Sequence, residues 1–201
     1  MGDRMGSLDK LREFVIDATK AVDANIAEEK TVSAIKPLLA NLIANDDWLP
    51  DDYAQPHPDY YCQYLLHADP LERFSIVSFV WGPGQKTPIH DHRVWGLVGV
   101  LRGAELSTDY TRTSEGALIA NREERLEAGT IIALSPDSRD IHTIRNAFDD
   151  RVSVSIHVYG ANIGAVRRAV FAFPDGQEKL FVSGYSNTRV PNLWDRSENL
   201  R

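Results

Sequence analysis

Apolar residues recur at three- and four-residue steps through the first part of the chain. Leu8, Leu11, Phe14, Val15, Ala18 and Val22 fall on one side of a helix. A second stripe, Ile35, Leu38, Leu39, Leu42 and Ile43, predicts a second helix. Ser33 is placed to cap it, with Pro37 near the first turn, where a missing N–H is tolerated. Asn45-Asp46-Asp47 ends it, and residues 48–60, with Pro50, Pro56 and Pro58, read as an irregular connection. From about Tyr61 the texture changes to short runs rich in β-branched and aromatic residues. The runs are Phe74 to Trp81, Trp95 to Arg102, Ala104 to Tyr110, Leu118 to Arg125, Thr130 to Leu134, Ile141 to Asn146 and Val152 to Tyr159. Turn signals separate them: Gly82-Pro83-Gly84, Ser114-Glu115-Gly116, Ala128-Gly129, Pro136-Asp137-Ser138 and Asp149-Asp150. Phe171-Ala172-Phe173 and Lys179 to Val182 flank the hairpin signal Pro174-Asp175-Gly176. Many short strands without intervening helices predict a mainly β sandwich or barrel. The expected organisation is a helical segment over residues 1–60, packed on a barrel over residues 61–201.

Composition narrows the function. The chain has 201 residues, with 22 Lys+Arg against 29 Asp+Glu and a net charge of −7. An acidic chain without a basic run lacks the cations a nucleic-acid binder needs to displace phosphate counterions. The single cysteine, Cys62, excludes intrachain disulfides and thiolate zinc sites, and reads as a small buried residue. No stretch is apolar and long enough to span a bilayer. Met1 to Met5 lead into a charged amphipathic segment rather than a signal core, and the Ser or Thr of a myristoylation pattern is missing at position 6. A cytoplasmic protein with no membrane partner is expected.

Six histidines are present: His57, His67, His90, His92, His142 and His157. His90 and His92 are two apart in a strand-like context, so both imidazoles reach one point while Asp91 faces away. The spacing Gly84-x5-His90-x-His92-x3-Gly96-x6-Gly103 resembles the first motif of the cupin superfamily, with Gly96 where most metal-binding cupins have a glutamate ligand. His142 and Asn146 match the H-x3-N that ends the second cupin motif; Gly129 and Pro136 fit its upstream part loosely. Two histidines and a carboxylate make the facial triad of many non-haem iron oxygenases. Three neutral histidines leave a divalent centre with its full +2 charge, which attracts an anionic ligand such as a thiolate. Glu105 is a substitute ligand by type but lies off the motif. Three histidines also bind zinc, so the residues alone do not name the metal.

Arg151 to Tyr159 alternates cleanly, with Ser153, Ser155, His157 and Tyr159 on one face. That face is either solvated or a hydrogen-bonded relay pointing into the barrel. Trp81 and Trp95 read as core packing or pocket lining, and His57 and His67 as structural or exposed.

Thr87-Pro88-Ile89-His90-Asp91-His92, Gly96, His142 and the Ser155/His157/Tyr159 spacing together resemble the cysteine dioxygenase family of thiol dioxygenases, over roughly residues 60–185. The resemblance implies ferrous iron held by His90, His92 and His142. Dioxygen and a small thiol are then the substrates, the product is a sulfinic acid, and Ser155, His157 and Tyr159 lie behind the metal as catalytic residues. Two departures from the animal enzymes narrow the substrate. Gly96 stands in the region of the cysteine that crosslinks the active-site tyrosine, so Tyr159 is expected to be uncrosslinked. Gln63 stands at the place of the arginine that binds the cysteine carboxylate, and a neutral amide cannot replace that charged pair. The Gln-bearing bacterial branch is similar to 3-mercaptopropionate dioxygenases, which implies oxidation of 3-mercaptopropionate to 3-sulfinopropionate. Arg168 matches an arginine assigned to the carboxylate in that branch, with Tyr159 and Gln63 as further substrate contacts. The alternatives are cysteine as the main substrate, a non-catalytic sensor or storage cupin, and a zinc or manganese cupin of another reaction class.

Overall fold

The computed structural model describes residues 8–24, 27–136 and 140–194. Two helices, α1 (Asp9–Ala24) and α2 (Glu28–Ile43), precede eleven strands among the described residues: β1 (Cys62–Ala68), β2 (Ser75–Trp81), β3 (Ile89–His90), β4 (Gly96–Arg102), β5 (Ala104–Arg112), β6 (Leu118–Glu127), β7 (Ile131–Leu134), β8 (His142–Asn146), β9 (Ser153–Tyr159), β10 (Arg168–Phe171) and β11 (Glu178–Phe181). One sheet runs β1-β2-β9-β4-β7 and the other β11-β10-β3-β8-β5-β6. Every neighbouring pair is antiparallel. This is the mainly β cupin architecture with N-terminal helices.

The helices explain why β9 is apolar on one face. Leu11, Phe14 and Ala18 of α1 and Ile35, Leu39 and Ile43 of α2 join Leu97, Val154, Ile156 and Val158 in one buried cluster. The opposite face of β9 turns toward the second sheet, so the whole strand is buried. A Cβ at Gly99 of β4 would stand 2.9 Å from Ile43 Cδ1, so the glycine lets α2 lie close on the sheet. The solvated reading of the polar face of β9 does not hold.

Several predicted boundaries are corrected. Ser33 does not cap α2, which starts at Glu28 behind Ala27 and carries Pro37 in its interior. Pro37 and Ser33 are both exposed. The carbonyl that loses its intrahelical partner to the proline therefore belongs to a solvent-facing turn, where water can satisfy it. The connection after α2 holds a 3-10 turn at Asp51–Tyr53. The sequence reading missed β1. It also placed the last hairpin three residues late on its first arm, which is β10, while β11 starts one residue earlier than expected. The predicted turn at Pro136-Asp137-Ser138 lies outside the described residues beyond Pro136.

Gly103 turns the chain from β4 to β5 at φ +75°. A Cβ there would lie 2.4 Å from Ser153 Oγ, so this position needs glycine on both counts. Ser153 Oγ accepts the Ala104 N–H (3.1 Å) and lies 2.8 Å from Asn146 Oδ1. Asn146 Nδ2 donates to the carbonyls of Trp81, Gly82 and Arg151 at 2.9, 3.0 and 2.8 Å. The glycine and asparagine of the two motifs thus lock β2, β5 and β9 together below the histidines.

Candidate metal centre

His90 and His142 face each other across the β3–β8 register, and His92 follows just beyond the end of β3. The three rings lie 4.8–4.9 Å apart, centroid to centroid, and one nitrogen from each falls within 4.8 Å of the others. His90 Nδ1 lies 3.1 Å from the Pro88 carbonyl, which only accepts, so Nδ1 carries the hydrogen and Nε2 is left as a ligand. His92 Nδ1–H donates to Asp140 Oδ2 at 2.8 Å, which orients its ring in the same way. Burial holds the imidazoles neutral: His90 is lowered to about 4, while His92 and His142 go well below the ordinary value. Neutral, close-set imidazoles, two of them with the tautomer fixed by a partner, suit a metal ion, so the donor set fits one. Burial raises Asp140 to about 7, and a cation on the far nitrogen of His92 would favour its ionised form.

Glu105 is not a fourth ligand. It stands outside the three-histidine group, on β5 of the same sheet, registered with Asn146 at the other end of β8 from His142 and beside Ser155 and Trp81. Gly96 is registered opposite Tyr159, and a Cβ on it would be 3.1 Å from the tyrosine Cδ1. The phenol ring therefore occupies the space into which a cupin glutamate would grow. It also stacks on His92, with centroids 5.5 Å apart. Gly96 offers the ring no sulfur, and Cys62 packs in the cluster under the helices.

Ser155, His157 and Tyr159 do form a chain. Ser155 Oγ is 2.8 Å from His157 Nε2, and His157 Nδ1 is 2.8 Å from Tyr159 Oη. Phe79 stacks on His157 at 4.1 Å, and Trp81 Nε1–H donates to Ser155 Oγ at 3.3 Å. Trp81 is thus both packing and part of the wall, whereas Trp95 packs under the helices. His57 stacks on Tyr60 at the cavity edge, and His67 leans on Phe74.

Arg168 opens β10 and is only 4 % exposed. Asp91 positions it: its N–H donates to the Ala169 carbonyl (3.1 Å) and its Oδ1 accepts the Ala169 N–H (2.7 Å). The residue between His90 and His92 therefore anchors the strand of the arginine. Arg168 donates to Ser183 Oγ at 2.7 Å and lies over the Phe181 ring at 4.9 Å, while its Nε has no partner among the described residues. No carboxylate pairs with it among the described residues. Gln63 lines the same cavity, but its Nε2 donates to the Gly184 carbonyl at 2.9 Å, next to the arginine's serine partner. A cavity of about 840 Å³ brings together the three histidines, Tyr159, Arg168 and Gln63. Sequence reasoning missed Asp140 as the support of His92 and Tyr61 as a wall residue, stacked on Trp81 at 4.9 Å.

A mainly β cupin with a buried three-histidine group defines a candidate metalloprotein. A profile of the cysteine dioxygenase type I family matches residues 14–169, and the chain belongs to that family of metal-dependent thiol dioxygenases. Solved structures with related folds include a protein from Thermus thermophilus (16 % identity, 55 % of this chain and 92 % of that one, TM-score 0.45). Others are a Klebsiella pneumoniae protein with a double-stranded β-helix domain (19 %, 57 % and 89 %, 0.42) and a cupin from Desulfovibrio desulfuricans (20 %, 53 % and 88 %, 0.37). No helix among the described residues is long and apolar enough to cross a membrane.

Proposed function

We propose that the protein uses ferrous iron on His90, His92 and His142 to oxidise 3-mercaptopropionate with dioxygen to 3-sulfinopropionate. The observation that carries this reading is the charge inventory of the cavity. Arg168 is a buried cation without a carboxylate partner, and no Asp or Glu lines the cavity among the described residues. A carboxylate ligand supplies the missing anion. The α-ammonium of cysteine, and the amine of cysteamine, would find a cation and no counter-charge. Cysteine therefore stays the second reading, and cysteamine is the poorest fit.

Iron bound there would supply the redox chemistry and acidify the thiol. The protein's own residues bind and orient. Arg168, with its free Nε, holds the carboxylate end of the substrate. Tyr159 Oη, fixed by His157, offers an O–H beside His92 to the substrate or to dioxygen. Phe79, Trp81 and Tyr61 form an aromatic wall that keeps water from the reacting end. Gln63 fixes the Gly184 segment and so, through Ser183, the arginine.

Arg168→Gln tests the reading. A charged hydrogen bond is worth about 1.5–3 kcal/mol, so kcat/KM for 3-mercaptopropionate should fall about 10–150-fold with iron content unchanged. An unaltered kcat/KM would remove the carboxylate from Arg168 and with it the substrate assignment.

A further inference from the structure

Glu105 is 0 % exposed, and neither carboxyl oxygen accepts a hydrogen bond of ordinary geometry from the described residues. Burial raises it to about 7, and only the Ser155 hydroxyl and the Trp81 N–H pull the other way. No lysine or arginine contributes a charge to it. Its register partners are Leu126 on β6 and Asn146 on β8. Next to these, Arg125 and Glu127 pair with each other, and Arg145 pairs with Glu123, all on the outside. From β2 it is faced by Trp81, which does not titrate, and from β9 by Ser155, beyond which His157 and Tyr159 are the next titratable groups.

We infer that Glu105 is the closed end of the Ser155–His157–Tyr159 chain and sets the direction of its hydrogen bonds. Ser155 has one proton to give. When Glu105 is a carboxylic acid it donates to Ser155 Oγ. Ser155 then donates to His157 Nε2, His157 Nδ1–H donates to Tyr159 Oη, and the Tyr159 O–H is free to point into the cavity. When Glu105 is a carboxylate it takes the Ser155 proton. His157 Nε2–H then donates to Ser155, and Tyr159 donates inward to Nδ1. One proton passed outward along the first arrangement yields the second: Glu105 gives one and ends ionised, Ser155, His157 and Tyr159 each receive one and give one, and the proton given up by Tyr159 leaves to the cavity, to water in metal-free protein. Glu105 is thus a positioning residue, acting through Ser155 on the phenol. This inference rests on the thiol dioxygenase reading only for what receives the Tyr159 proton.

The test is the tautomer of His157 by nitrogen-15 NMR of metal-free protein across neutral pH, alongside the pH profile of kcat in iron-loaded protein given 3-mercaptopropionate. In the wild type, Nδ1–H is expected below and Nε2–H above a midpoint near the pKa of about 7 of Glu105. Glu105→Gln cannot ionise and its amide can still donate to Ser155, so Nδ1–H should persist and the alkaline limb of kcat should vanish. Glu105→Leu, which needs no partner in an apolar setting, should also lose the transition. A wild-type tautomer that ignores pH, or a transition that survives both variants, overturns the inference. A Glu105-dependent transition in protein that oxidises no thiol supports the inference and sinks the functional reading instead.

Discussion

At the scale of single residues, the site is assembled from groups whose ordinary chemistry is altered by burial. His92 is the sharpest case, because one carboxylate fixes which nitrogen it offers. Asp140→Ala removes that hold while deleting a group that burial disfavours when charged. Metal affinity should fall about 10–100-fold by competition with a chelator, while the urea midpoint of metal-free protein stays level. Unchanged affinity would mean that the β3–β8 frame alone orients the ring. The three-histidine group was legible in the sequence because H-x-H at a strand end is a local signal and the H-x3-N of His142 and Asn146 fits the second motif. Asp140 was not, since it lies 48 residues from its partner and acquires its role only when β8 packs beside β3. Nor was the place of Glu105 legible: its residue type suits a ligand, and only the fold shows it four register positions along β5 from the partner of His142, beside Ser155.

At the scale of elements, β9 decides the site, being hydrogen-bonded to β2 on one side and β4 on the other. Its alternation was readable, but alternation does not say whether a polar face looks at water or into a barrel. The helices settle that by covering the apolar face. β1 escaped notice for a related reason. Its register shifts between Leu65 and His67, which breaks the period of two, and the strand is only half-buried. Pro37 misled in the other direction, because a solvent-facing turn tolerates it within α2. The β4–β9 register carries a further expectation. Gly96→Glu restores the usual cupin residue type but drives it into the Tyr159 ring and Leu134. It should cost about 1–3 kcal/mol of stability in urea titration without tightening metal binding. Tighter metal binding at full stability would show that the ring can yield the space.

At the scale of the whole molecule, two sheets bring one half of the site each: the histidines from one, the Ser155–His157–Tyr159 chain from the other. The cost is a set of buried titratable groups. His157 is near 3 when folded and 6.5 when free, so the unfolded chain binds the extra proton and stability drops as pH falls from 6.5 toward 3. His90, His92 and His142 shift the same way. Glu105 and Asp140 have the opposite sign, near 7 folded against 4.5 and 3.8 free, and offset two imidazoles between about 4.5 and 6.5. The four imidazoles outnumber these two carboxyls, so the urea midpoint of metal-free protein should fall between neutral pH and pH about 5, with each uncompensated proton worth about 1.4 kcal/mol per pH unit. A level midpoint would mean that these rings are hydrated. The substrate assignment is tested most directly by dioxygen consumption of iron-loaded protein given 3-mercaptopropionate, cysteine and cysteamine in parallel, with product mass recorded. Preferential uptake with 3-mercaptopropionate, matched by its sulfinate, is the expected result; equal or greater uptake with cysteine, or none with any thiol in protein shown to hold iron, would contradict it.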